Sequence, residues 1–185
     1  MISNEERYRQ FLQGDEESLR ALMEQYGDAL TFYIDGYVHD LSDAEALMID
    51  AFAYLVVKKP HIYDNGFQSY LYKSARHLAL RYLQKQRSHP VFSFEDLDRE
   101  PEGPALLETV MKTQERNRIL RACMGQLPAD YREALYLFYL EGLNYEETAA
   151  VIGVNRKRVD NLIQRGKKML KPLLEKEGIT DAYNG

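Results

Sequence analysis

The chain has 185 residues, 45% of them apolar, with a formal net charge of −5 and one cysteine, Cys123. That length fits one ordinary domain or two small ones, and that composition can bury a core. No run of about 18 apolar residues occurs, which excludes a transmembrane helix; a lone cysteine excludes an internal disulfide framework, and the polar, acidic start MISNEERYRQ is unlike a signal peptide, so the expected compartment is the cytoplasm.

The elements read helical throughout. Residues 16–37 place Leu19, Leu22, Met23, Tyr26, Leu30, Tyr33, Ile34 and Tyr37 at spacings of three and four. A second helix is expected over 42–59, with Ser42 or Asp43 as N-cap, a stripe of Ala44, Leu47, Met48, Ala51, Phe52 and Leu55, and a stop at Pro60. Asp64-Asn65-Gly66 then marks a turn that suits positive φ. A third helix is expected over 67–87. Residues 88–105 hold three of the six prolines and five acids against one base, and read as a linker. Further helices are expected from Leu107 to Met124 and from Pro128 to Gly142, with Leu135, Leu137, Phe138 and Leu140 as candidates for burial. The fold class is all-α: two small helical domains joined by an acidic, proline-containing linker, with domain 1–90, linker 91–106, a helix-turn-helix domain 107–178 and a tail 179–185.

Charge is unevenly spread. Residues 1–57 carry twelve acids and three bases, 68–90 carry five bases and no acid, and 155–176 carry eight bases and two acids. Two basic islands in an acidic chain point to localised contact with an anionic partner.

The second island carries the sharper motif. A helix over 145–151, a tight turn centred on Gly153 and a long helix from Asn155 make a helix-turn-helix. Asn155 is a strong N-cap type. Val159, Leu162, Ile163, Met169 and Leu170 form the stripe that should be buried. Arg156, Lys157, Asn161, Gln164, Arg165 and Lys168 lie opposite, with Arg158 flanking. Cations at a helix N-terminus are unfavourable by about 0.3–1 kcal/mol each. A helix that enters the major groove N-terminus first surrounds that end with phosphate. Asn161, Gln164 and Arg165 are types that read base edges, and Lys168 suits a phosphate.

The first island interleaves Tyr70, Tyr72 and Tyr82 with Lys73, Arg76, His77, Arg81 and Arg87, behind a loop Tyr63-Asp64-Asn65-Gly66-Phe67. Cations with aromatics and no acids suit single-stranded nucleic acid. Part of the same pattern is core: Leu71, Ala75, Leu78 and Tyr82 are expected mostly inside.

These stretches resemble the extracytoplasmic-function class of bacterial RNA polymerase sigma factors, within the sigma-70 family. The resemblance rests on LPADYREALYLFYLEGLNYEETAAVIGVNRKRVDNLIQRGKKML at the C-terminal end. Toward the N-terminus it rests on GDEESLRALMEQYGDALTFYI, DLSDAEALMIDAFAYL and FQSYLYKSARHLALRYLQKQRS, in the family's order. It implies an alternative sigma factor whose partners are bacterial core RNA polymerase and promoter DNA, and it admits an anti-sigma factor. Asp43, Glu45, Asp50 and Phe52 would face the polymerase. Tyr63, Asp64, Asn65, Phe67, Tyr70, Lys73, Arg76, His77, Arg81 and Arg87 would open and hold the minus-ten element. Asn155, Arg156, Lys157, Arg158, Asn161, Gln164, Arg165 and Lys168 would face the minus-thirty-five duplex. The linker acids Glu95, Asp96, Asp98, Glu100 and Glu102 would thread the polymerase's basic RNA path. The chain departs from the family pattern at Ile49-Asp50, where Gln-Glu is common, at Tyr70, where Trp is usual, and in a more basic recognition helix.

Two other readings compete. A stand-alone helix-turn-helix regulator leaves the first island and the linker without a role. A nucleic-acid hydrolase built on Asp35, Asp40, Asp43, Glu45 and Asp50 lacks His at ligand intervals, a phosphate loop and a nucleophile motif. No catalytic residue, metal or cofactor is implied.

Overall fold

The first helix, α1 (Asn4–Leu12), starts where the Ser3 side chain accepts the Glu6 N–H at 3.1 Å. It was not expected from the sequence; the serine-x-x-glutamate start is the signal that marks it. The computed structural model describes residues 1–87, 89–93 and 107–179. The acidic stretch 94–106, with its five carboxylates, and the tail 180–185 lie outside them. Among the described residues every regular element is helical.

Next along the chain come α2 (Glu16–Val38), α3 (Leu41–Lys58), α4 (Phe67–Lys85), α5 (Leu107–Gly125), α6 (Ala129–Leu135), a π-helical turn (Tyr136–Leu140), α7 (Tyr145–Ile152) and α8 (Arg156–Lys176). The chain divides into two compact units, Met1–Val91 with Ala150–Gly153, and Phe92–Ala149 with Val154–Gly185.

In the first unit α2, α3 and α4 pack on one another, and α1 lies against α2. Leu22, Leu30, Ile34, Leu55 and Leu71 are fully buried, together with the rings of Tyr33, Phe52, Phe67 and Tyr72. The Tyr33 and Tyr72 rings sit 5.3 Å apart. Asp40, not Ser42 or Asp43, caps α3: its carboxylate accepts the Asp43 N–H at 2.9 Å. Helices α2 and α3 each end on a non-glycine residue at positive φ, His39 (55°) and Lys59 (44°).

In the second unit Cys123, Met124, Leu127, Leu135, Leu170 and Leu174 form one buried cluster. Burial raises the Cys123 thiol pKa, as expected of a cysteine that acts as a small hydrophobe. Phe92, in the stretch expected to be linker, is buried with its ring 5.6 Å from Tyr136. The segment expected as one helix from Pro128 to Gly142 changes type at Tyr136, where the Glu141 N–H reaches back to the Tyr136 carbonyl at 3.2 Å. Leu135 and Leu137 are buried as expected, but Phe138 and Leu140 are only partly covered. The inserted residue of a π turn rotates the side chains beyond it, and the Phe138 ring ends 5.1 Å from that of Tyr145. Lys167 places its ammonium 5.9 Å from Phe138 and 5.7 Å from Tyr139.

Candidate nucleic-acid interfaces

The two helices of the helix-turn-helix are capped by different devices. Asn144 and Glu147 cap α7 reciprocally: the Asn144 N–H donates to the Glu147 carboxylate at 2.8 Å and the Glu147 N–H to the Asn144 side chain at 2.9 Å. Gly153 turns the chain at φ +80°, and Asn155 caps α8 by accepting the Arg158 N–H at 2.8 Å. Val159, Leu162, Ile163, Leu170 and Leu174 are buried; Met169 is only partly so. Gly166 completes the stripe for a reason of contact. A Cβ there would lie 2.9 Å from Leu135 Cδ1 and 3.2 Å from Leu135 Cγ, so glycine lets α6 and α8 approach closely.

All eight residues expected at the duplex are exposed: Asn155, Arg156, Lys157, Arg158, Asn161, Gln164, Arg165 and Lys168. Asn155, Lys157, Arg158, Asn161 and Arg165 line one groove, whose other wall is Asp130 and Tyr131. The charge at the start of α8 is partly compensated. Arg156 pairs with Glu146 at 3.2 Å and lies over the Tyr145 ring, while Arg158 reaches Asp130 at 3.5 Å. Both pairs are more than half exposed, a setting in which an ion pair contributes about 0–1 kcal/mol. A phosphate can therefore replace either acid. Lys157, Arg165 and Lys168 form no ion pair among the described residues. Gln164 makes a long contact, 3.4 Å, to the Tyr145 hydroxyl.

The first island divides differently. Lys73, His77 and Arg81, four residues apart on α4, are exposed on one face, as is Arg87 just beyond it. Tyr63 is 77% exposed. Asp64 and Asn65 are exposed, Asn65 at φ 58° and Asp64 paired with Arg9 of α1. Tyr70 is half-buried, and burial raises its hydroxyl pKa. Arg76 is also half-buried; its Nε donates to the Tyr37 hydroxyl at 3.1 Å. Phe67 corrects the expectation. It is fully buried, 5.7 Å from the Tyr8 ring and 5.9 Å from that of Tyr26, and cannot stack on a base. Tyr72 is likewise core, whereas Leu78 and Tyr82, expected mostly inside, are half-exposed. The Tyr82 hydroxyl donates to Asp43, a bond that raises its pKa.

On α3, Glu45 and Asp50 are exposed and Asp43 half-exposed. Phe52 is a second correction: at 2% exposure it packs inward and offers no surface. The side that does face out was missed. Ala46, Ile49, Ala53 and Val57 succeed one another at helical spacing, with Ile49 54% and Val57 74% exposed. The signal was available: α3 has more apolar residues than one buried stripe uses. Among the described residues no group of three His, Cys, Asp or Glu side chains could hold a metal, and no helix is long and apolar enough to cross a membrane.

Residues 117–170 match the family described as Sigma-70, region 4, a span that contains α6, α7 and most of α8. Over longer stretches the chain is similar to RNA polymerase sigma factor SigZ of Bacillus subtilis, with 26% identity over 163 residues, 85% of this chain and 88% of SigZ. It is also similar to the ECF RNA polymerase sigma-E factor of Escherichia coli K12, with 28% identity over 177 residues, 88% and 92% of the two chains. Among solved structures, the sigma factor RpoE of Bartonella quintana, in complex with the anti-sigma factor NepR, shares the fold with a TM-score of 0.60 at 21% identity, over 84% of this chain and 96% of that one. Motif order, helical architecture and these likenesses agree, and together they support a member of the extracytoplasmic-function class of the sigma-70 family.

Proposed function

We propose that this chain is an alternative sigma factor: it binds core RNA polymerase, directs the enzyme to a promoter and assists strand opening, while RNA synthesis stays with the core. The observation that carries the reading is the α8 face, where eight exposed polar and basic residues flank a capped helix start whose acids are weakly held. It suits entry into the major groove, with Asn161, Gln164 and Arg165 toward base edges and Arg156, Lys157, Arg158 and Lys168 toward phosphates.

Within that role the two domains divide the work. Residues 107–178 read the minus-thirty-five duplex and 1–90 serve the polymerase and the minus-ten element, with 91–106 between them. Lys73, His77, Arg81 and Arg87 supply the cations for the opened strand, and Tyr63 and Tyr70 supply rings on which bases stack. Polymerase docks on the outward side of α3, through Glu45, Asp50, Ile49, Ala53 and Val57; an exposed apolar strip of this kind marks a protein interface. An anti-sigma factor is a further partner. The protein works in the cytoplasm, where its polymerase is.

Size-exclusion chromatography with purified bacterial core polymerase tests the reading. The chain co-elutes with the core, and Asp50→Arg or Val57→Asp abolishes co-elution while the thermal midpoint stays that of the parent. Failure of the parent to bind core, together with tight binding to duplex DNA alone, would replace this function with that of a stand-alone regulator.

A further inference from the structure

Helix α4 has no N-cap of its own. Gly66 precedes it without a side-chain acceptor, and its first turn carries no acid. The missing acceptor comes from 62 residues away: Glu5 of α1 accepts the Phe67 N–H at 3.1 Å. Two more residues of the same α1 face grip the loop that leads into α4. The Tyr8 hydroxyl donates to the Pro60 carbonyl at 2.9 Å, and the Arg9 guanidinium donates to the Asp64 carboxylate. Positions 5, 8 and 9 are three and four apart, so one helical face holds the loop at its start, near its tip and at its end. Tyr8 is buried and anchors the arrangement through its ring contact with Phe67. Burial, with a smaller contribution from Tyr70, pushes its hydroxyl pKa up to about 12, so it remains a donor at any working pH. The loop itself is a tight turn, closed by the Gly66 N–H on the Tyr63 carbonyl at 3.1 Å. The loop is nonetheless open: Tyr63 and the Arg9-paired Asp64 side chain are each more than three-quarters exposed.

We propose that α1 is a brace that presets the 60–67 loop for the minus-ten element, and that Arg9 is its positioning residue, fixing where Asp64 points without touching DNA. Arg9 also offsets the one carboxylate on a loop that must meet a polyanion. The proposal rests on the promoter-binding reading above.

The test uses the full chain assembled with core polymerase, on promoter fragments whose minus-ten bases are changed one at a time. The readout is the ratio of open-complex formation between the preferred and the poorest sequence. Arg9→Ala narrows that ratio about two- to fivefold, the range an exposed ion pair can supply, and Arg9→Lys restores most of it. Core binding and thermal midpoint stay unchanged in both. In the free chain, hydrogen exchange across residues 60–67 quickens in Arg9→Ala and Glu5→Ala. An unchanged ratio in Arg9→Ala overturns the proposal even if exchange quickens, and so does an equal loss on every fragment, because either result leaves α1 a purely structural part. A parent chain that fails to bind core sinks the promoter reading itself, which separates the two failures.

Discussion

Helices α4 and α8 are both basic, aromatic-flanked and of similar length, yet they use those residues differently. Helix α8 separates its duties by face. Its aliphatic stripe is buried, its amides and all its cations but Lys167 are exposed, and its own Asn155 starts it. Helix α4 mixes them. Phe67 and Tyr72 go to the core, Tyr70 and Arg76 sit half-way, Lys73, His77, Arg81 and Lys85 remain outside, and its first turn depends on Glu5 of another helix. A face built on aliphatic residues can be read from spacing. One built on tyrosines cannot, because a ring with a hydroxyl satisfies either environment.

Substitutions can break or sharpen that contrast. The largest effect belongs to Phe67→Ala, which should cost about 3–5 kcal/mol in denaturant unfolding of the chain, with Phe67→Leu recovering most of it. A stable Phe67→Ala protein that no longer opens promoters would return the ring to the DNA side and erase the difference. Next comes Arg165→Ala, expected to weaken holoenzyme binding to the minus-thirty-five duplex by about 1–3 kcal/mol and to relax preference at one base pair. Equal binding to all duplexes would make the α8 face a solvated surface. Asn155→Ala removes the cap and should destabilise the chain by about 1 kcal/mol, whereas Asn155→Ser should be nearly silent in the same melt. Smallest is Glu146→Gln. Freed from its partner, Arg156 should bind duplex slightly more tightly, while stability moves by no more than about 1 kcal/mol. Tighter binding in titrations at fixed salt supports acids held in reserve; weaker binding would show that Glu146 orders the site.

Much of this architecture was legible in the chain. Glycine at 153, asparagine at 155 and an aliphatic stripe at helical spacing specify the helix-turn-helix, because each has one conformational use there. Boundaries slipped where two residues could serve as cap, as at Asp40 against Ser42 and Asp43. The α1 helix was missed because nine mostly polar residues are too few to repeat a stripe; tertiary contacts through Tyr8 hold it. Phe52 and Phe67 were placed at surfaces because motif position carries no burial, and the π turn hid because an extra residue in a helix leaves no compositional trace. Gly166 reads as a helix weakener by propensity, at about 1 kcal/mol. Its purpose appears only when Leu135 of another helix arrives beside it.

If α8 reads duplex as proposed, the Asn155 cap limits which of its positions are free to change the target. Asn155 lines the groove beside α8, yet its side chain is already committed to the Arg158 N–H. That site can drift only among short oxygen-bearing side chains without fraying the helix start. Asn161 and Arg165 stand exposed with no such duty, and Gln164 has only a long contact to Tyr145. On the proposed reading of α8, a change of duplex target would run through positions 161, 164 and 165, while 155 stays fixed as the origin from which they are measured.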